Sequence, residues 1–166
     1  MIKSKKVGDE AENEILQWLL DGGHNARKNL VHSLRYDYDI EVDIPLYSSH
    51  GYAMKHDKFT IEVKNDVMAT KTGNVAIEYW NSRKNAPSGL TVTKANIWAH
   101  KIDGEVWICS VPSLKKFVET NKPLRIIEGG GDDNADLYLY KIEDFISNCI
   151  KLKEISHAHQ LYDLCM

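Results

Sequence analysis

Residues 59–64 alternate strictly: Phe59, Ile61 and Val63 are apolar, whereas Thr60, Glu62 and Lys64 are polar. A period of two marks a strand with one buried face, because successive side chains leave a strand on opposite sides. The pattern predicts a half-buried strand and sets Glu62 and Lys64 side by side on its polar face. Taken alone, the pair is also what a solvated ion pair on an edge strand looks like.

The rest of the chain supplies partners for that strand. YDYDIEVDI at 36–44 alternates acids with Tyr36, Tyr38, Ile40, Val42 and Ile44, and a polar loop with Ser48, Ser49, His50 and Gly51 follows. Together the two stretches predict a hairpin or meander. Upstream, residues 8–21 predict a helix: Ala11, Ile15, Leu16, Trp18, Leu19 and Leu20 form a broad apolar face, ended by Gly22-Gly23. Glu12 lies on this face, either at the core edge or directed into a site, while Asp9 and Glu10 suit the helix macrodipole. A second strand pair is predicted at 95–102 and 105–111, turned by Asp103-Gly104. A short helix at 113–120 with Ser113 as N-cap, a strand at 136–142 and a helix through about 143–155 complete the reading. The expected fold is α/β or α+β, a central mixed β-sheet flanked by helices, in one domain over residues 1–166. Its core is expected at about 5–150, with a C-terminal helix and tail at 151–166.

Composition narrows the setting. The 166 residues are enough for one domain with a real core, and no apolar run is long enough to span a bilayer. The opening MIKSKK leads into charge and not into a signal-peptide core, so an intracellular, cytoplasmic protein is expected, with no membrane partner. Cys109, Cys149 and Cys165 are widely spaced and form no CxxC pair, which suits buried or tail thiols in a reducing compartment. The net charge of −3 argues against an indiscriminate duplex binder. Glu128, Asp132, Asp133 and Asp136 crowd one segment, however, and the rest of the chain is nearly neutral, so a local basic face would suffice.

The acids converge if the two strands pair. Asp37, Asp39 and Glu41 share one face of the first, and a carboxylate from it would then sit opposite Glu62. Two unshielded carboxylates repel, so the arrangement calls for a cation, and oxygen ligands favour Mg²⁺ or Mn²⁺. Such an ion polarises a phosphoryl oxygen and acidifies a bound water, while Lys64 would stabilise charge developing on the phosphate.

In this arrangement the chain resembles the PD-(D/E)XK nuclease superfamily, especially small helix-first members such as Holliday junction resolvases and phage recombination nucleases. GDEAE at 8–12 is similar to the first-helix motif, with Glu12 as assisting acid. Asp39, followed by apolar Ile40, takes the place of the motif aspartate, without the proline that often precedes it. Glu62-Val63-Lys64 matches E-x-K at a normal interval, and residues 72–100 resemble the segment that follows, with Glu78 on a strand, Ser88-Gly89 as a turn and then Thr93. The resemblance spans roughly residues 5–110 and rests on the order and spacing of short motifs.

It implies a restriction-endonuclease-like core and a Mg²⁺-dependent deoxyribonuclease, with Mn²⁺ able to substitute, acting on single-stranded, branched or junction DNA in recombination or repair. Asp39, Glu62 and the Val63 carbonyl would be the metal ligands, Lys64 the catalytic lysine and Glu12 a further catalytic acid. Asp37 is the rival to Asp39. Tyr79, Trp80, Arg83 and Lys84 read as an aromatic and basic cluster on a loop, suited with Ser88 to substrate contact. Glu78 either reaches the site or is a solvated strand residue.

A homodimer is a second implied partner, since two symmetric cuts need two sites. Ile146, Ile150 and Leu152 would build its interface or belong to the core. His157 and His159 read as a solvated tail, and Gly129–Gly131 as a plain loop. The alternative function is a nucleic-acid-binding protein on the same fold with little turnover, because fold membership does not guarantee activity.

Overall fold

The computed structural model describes residues 2–30, 38–48, 50–130 and 134–166. The alternating stretches pair as their periodicity requires. Strand β2 (Ile40–Tyr47) and strand β3 (Ala53–Asn65) form an antiparallel hairpin in which Ile40 faces Ile61 and Val42 faces Phe59. Their apolar residues drop onto one face, where Ile40, Val42, Ile44 and Ile61 are fully buried. Asp37 lies outside the described residues, as does the start of the predicted 36–44 strand.

Strand β1 (Asn25–Lys28) adds to the outer side of β2, and strand β6 (Ile97–Ile102) pairs with the far side of β3. Strand β7 (Glu105–Ser110) returns from β6 through Asp103-Gly104, and strand β10 (Ile150–Lys151) ends the sheet. The order β1-β2-β3-β6-β7-β10 is mixed: among these pairs β3–β6 is parallel and the others antiparallel. Helix α1 (Ile2–Asp21), longer at its start than its apolar pattern predicts, covers one face through Ala11, Ile15 and Leu19.

The opposite face carries a second layer that sequence periodicity does not announce. Strands β4 (Asn74–Asn81), β5 (Ala86–Pro87), β8 (Arg125–Ile127) and β9 (Asp136–Lys141) form a separate sheet in the order β5-β4-β9-β8. Val75, Ile77 and Tyr140 of this sheet pack with Trp98 and Ile102, and with Leu114 and Phe117 of helix α3 (Val111–Thr120). A one-turn helix α2 (Ala69–Thr72) precedes β4. The architecture is therefore α+β, as expected, with a mixed six-stranded sheet flanked by helices.

Three local expectations are corrected. Helix α3 is capped by Ser110, whose Oγ accepts from the Ser113 N–H, and not by Ser113; Pro112 in the first turn favours that earlier start. The predicted 143–155 helix breaks into helix α4 (Ile142–Ile146), β10 and a 3₁₀ turn at Leu152–Glu154. Ser147 Oγ and the Asn148 side-chain amide both donate to the Asp144 carbonyl and close α4 after five residues. The tail is not solvated either: helix α5 (Ala158–Asp163) buries Ala158 and Leu161 against the α1 side of the sheet. Of the residues considered for an interface, Leu152 is buried and Ile146 packs on the second core, whereas Ile150 is exposed. The three cysteines are unpaired, Cys109 being buried, and no helix among the described residues is long and apolar enough to cross a membrane.

Candidate active site

Strand β2 begins at Ile40, and Asp39 stands just before it, its N–H donating to the Ile61 carbonyl at 2.9 Å. β3 runs on past this point, which leaves the Val63 backbone without a β2 partner. The Asp39 side chain fills that gap, Oδ2 accepting from the Val63 N–H at 2.7 Å. The N–H and C=O of one strand residue point to the same edge, so the Val63 carbonyl is directed to Asp39's side and takes no part in the ladder to β6.

Glu62 and Lys64 leave the strand on the face opposite Ile61 and Val63, with the Lys64 Nζ 2.6 Å from Glu62 Oε1. Their neighbours in register on β6 are Trp98 and His100. Lys64 Nζ lies 5.7 Å from the centre of the Trp98 ring, close enough for a cation–π contact. The structure thus brings Asp39, Glu62, Val63 and Lys64 together at one strand end.

The electrostatics follow from that crowding. Burial, and then the Glu62 carboxylate, push the Asp39 carboxyl up to about 7, against the Val63 N–H and Lys64, with Glu12 adding to the rise. Burial alone would lower the Lys64 ammonium, but Glu62, Asp39 and Glu78 together raise it, so it stays charged at neutral pH. The site is short of positive charge around Asp39 and keeps its lysine protonated. The other acids of β2 are neutralised elsewhere: Glu41 pairs with Arg27 and with Lys58 at 3.1 Å, and Asp43 with Arg27 at 3.5 Å. The ion-pair ladder that alternating charges suggest exists at those residues and stops short of Asp39.

Glu12 is drawn close enough to raise Asp39, but its Oε2 is held by Lys28 Nζ at 2.8 Å. That partner comes from β1, which its four residues did not reveal. Glu78 is not a plain solvated residue: with Lys64, Asn65, Asp66, Trp98 and His100 it lines a cavity of about 310 Å³ between the two sheets. Gly89 holds it there. At φ +51° this glycine lies so close that a Cβ would sit 2.4 Å from the Glu78 Cβ and carbonyl oxygen.

The floor of the cavity is a buried polar chain. The Trp98 indole N–H donates to His100 Nδ1 at 3.1 Å, which leaves the His100 proton on Nε2, 3.5 Å from Asp66 Oδ2. Asp66 also accepts from the N–H groups of Met68, Ala69 and Ala76 and so ties the end of β3 to α2 and β4. Burial alone would raise its carboxyl, but His100 and the Ala76 and Met68 N–H groups hold it below the usual range.

The expected substrate contacts are dispersed. Tyr79 and Trp80 stand on β4 and not on a loop, and Tyr79 packs on Tyr138 with ring centres 5.4 Å apart. Arg83 and Lys84 follow in the next turn, where Arg83 donates to Asn134 Oδ1 at 3.0 Å. Ser88 precedes a 3₁₀ turn at Gly89–Thr91 and donates its N–H to the Tyr79 carbonyl; Thr93 lies beyond that turn, its Oγ1 accepting from Ala95 N–H.

Two carboxylates and one carbonyl suit Mg²⁺, which keeps several of its waters and takes one or two protein carboxylates. They do not make a full protein cage: among the described residues no three His, Cys, Asp or Glu side chains gather to hold a metal.

No family model matches the chain, and no curated protein matches it. Among solved structures it is similar to a bacterial homing endonuclease, I-Ssp6803I, at 20% identity and a TM-score of 0.45, over 65% of this chain and 69% of that one. A likeness of that size assigns neither family nor activity.

Proposed function

We propose that the protein is a metal-dependent DNA nuclease of PD-(D/E)XK type. The observation that carries this reading is the meeting of Asp39, Glu62 and Lys64 at the end of β3, with the Asp39 carboxyl raised to about 7 by burial and by Glu62. An acid so destabilised in its charged form favours a bound cation. Asp39, Glu62 and the Val63 carbonyl would hold Mg²⁺, with Mn²⁺ able to substitute. Bound there, the ion supplies Lewis-acid polarisation of a phosphoryl oxygen and an acidified water.

The chain's own residues supply the rest. Lys64, kept charged by its three carboxylates, neutralises charge building on the phosphoryl oxygens. The Val63 N–H fixes the orientation of Asp39, and the Trp98–His100 hydrogen bond, with Asp66 3.5 Å from the far ring nitrogen, stiffens the strand behind Lys64. The cavity beside Lys64 gives the scissile strand a place next to that ammonium. Glu12, charge-compensated by Lys28, acts at the back of Asp39. Arg83 and Lys84 offer phosphate contacts on the β4 side.

The test is cleavage of labelled single-stranded, duplex, flapped and four-way-junction DNA with Mg²⁺, Mn²⁺ or EDTA. Metal-dependent cutting, reduced by about 10²–10³-fold or more in Lys64→Ala, is the expected result. DNA binding with no cutting in any metal would overturn the enzyme reading in favour of a binding protein.

A further inference from the structure

The hairpin that carries the candidate site at its base reaches beyond the sheet at its other end. β1 accompanies β2 only through Asp43, and β6 joins β3 only from Ile61. Beyond a root row in which buried Ile44 faces Asp57, the rows Pro45–His56, Leu46–Lys55 and Tyr47–Ala53 therefore stand as a two-stranded arm. Helix α5 braces its root: Tyr162 donates its hydroxyl to Asp57 Oδ2 at 2.7 Å, and His159 Nε2 lies 3.2 Å from the Pro45 carbonyl.

The tip is a built turn. Ser48 donates its N–H to the Tyr52 carbonyl at 2.8 Å, its Oγ accepts from the His50 and Tyr52 N–H groups, and Gly51 takes φ +79°. It displays two aromatic rings to solvent, Tyr47 at 60% and Tyr52 at 75% exposure. Beyond the root, residues 45–56 contain His50, His56 and Lys55, whose Nζ lies 3.9 Å from the root's Asp57, and no carboxylate, in a chain with 24 acids. An acid-free arm with exposed rings has the chemistry of a nucleic-acid contact: a two-stranded ribbon fits the major groove, and tyrosine stacks on an unpaired base.

We propose that this arm is a DNA-binding element in which Tyr47 and Tyr52 contact bases remote from the cleaved bond. The inference rests on the nuclease reading of the same hairpin, because continuity with Asp39 and Glu62 aligns the arm with the substrate. Tyr47 lies eight residues beyond Asp39, about 26 Å at roughly 3.3 Å per residue. The contact therefore falls about eight nucleotides from the reacting phosphate, at about 3.4 Å per step.

The experiment compares wild type, Tyr47→Ala/Tyr52→Ala and Tyr47→Phe/Tyr52→Phe as full chains, with Tm confirming the fold of each. Affinity for fluorescein-labelled 30-mers, single-stranded and duplex, is measured in EDTA by anisotropy. Cleavage kinetics follow on substrates extending about 4 or about 16 nucleotides from the cut. The expected result is binding weakened about tenfold or more in the alanine variant, the size of one lost base–aromatic stack, and retained within about twofold in the phenylalanine variant. KM should rise with kcat unchanged on long substrates, and the difference should vanish on short ones. Equal affinity of the alanine variant and wild type overturns the proposal while cleavage by both leaves the nuclease reading intact. Weakened binding in a protein that cuts nothing supports the arm and overturns the nuclease. Conversion of a dimer to a monomer by the alanine pair, seen in sedimentation, overturns the DNA assignment and makes the tip a contact between copies.

Discussion

Replacing Asp39 by asparagine is expected to make the metal-free protein more stable in mildly alkaline solution. Asparagine keeps an acceptor for the Val63 N–H and carries no charge beside Glu62. The Asp39 carboxyl rises from 3.8 to about 7 on folding, through burial first and Glu62 second. The folded protein therefore holds that proton more tightly than the unfolded chain. Stability falls as pH rises from about 4 to about 7, and the full penalty stands above that window. A shift of about 3 units is worth about 4 kcal/mol at roughly 1.4 kcal/mol per unit. Because part of that shift comes from the neighbouring Glu62 charge and not from Asp39's own burial, about 2–4 kcal/mol is expected for Asp39 alone.

At roughly 2–4 °C per kcal/mol for a chain of this length, Asp39→Asn should melt about 4–16 °C above wild type near pH 8 in EDTA. Thermal unfolding is to be followed near pH 8 and near pH 4, with and without Mg²⁺. The difference should shrink to roughly 0.5 kcal/mol near pH 4, where Asp39 is protonated in the folded state and about half ionised in the unfolded chain. Mg²⁺ should raise wild type and leave the variant unmoved. A variant equally or less stable near pH 8, or a difference independent of pH, would refute the electrostatic account.

Gly89→Ala places a methyl group against the Glu78 backbone at a positive φ; a loss of about 2–4 kcal/mol is expected in urea unfolding. Burial, with His159 and His157, lowers the His24 pKa, and His24 Nε2 accepts the Ala158 N–H at 3.2 Å. Its neutral form therefore supports α5 above about pH 6.5, and that support is lost as pH falls through the lowered value. Wild-type Tm should drop more steeply than that of His24→Gln between pH 7.5 and 5.5. Asp136 is buried and accepts from the N–H groups of Ser82 and Gly129 and from the Ser82 hydroxyl. Asp136→Ala should cost about 3 kcal/mol or more by the same urea assay, since several buried donors lose their acceptor.

The β2–β3 hairpin, the β6–β7 pair and α1 were legible because each shows its own period over enough residues. Asp39, Glu62 and Lys64 were legible for a related reason: two neighbouring strands in hairpin register put their ends together without help from distant chain. What the sequence hid depends on remote partners. β4 pairs with β9 across more than sixty residues, Asn74 opposite Lys141, and nothing local in NVAIEYWN says that it leaves the main sheet. Lys28 neutralises Glu12 from a four-residue strand too short to show a pattern. His100 looks like any strand residue until Trp98 and Asp66 are seen on either side. A C-terminal helix and tail were expected, but the burial of α5 was not legible, because Ala158 and Leu161 are its only fully buried side chains and stand among His157, His159, Gln160 and Asp163.

The parallel register of β3 and β6 has a consequence for how the site comes into being. β2 reaches β3 across a five-residue turn, a closure that forms in about 1–10 μs in isolated hairpins. β6 arrives only after the whole of residues 66–96 has been laid down, including β4, β5 and the Gly89 turn. Non-local pairing of this kind is slow, because the loop must close before any contact rewards it. Asp39 and Glu62 therefore meet early, on a hairpin with no Trp98 behind Lys64 and no Glu78 across the cavity. The paired carboxylates precede the complete pocket. The final setting of Lys64, between Glu62 and the Trp98 ring, is therefore expected to form only when the strand some thirty residues later in the chain has paired.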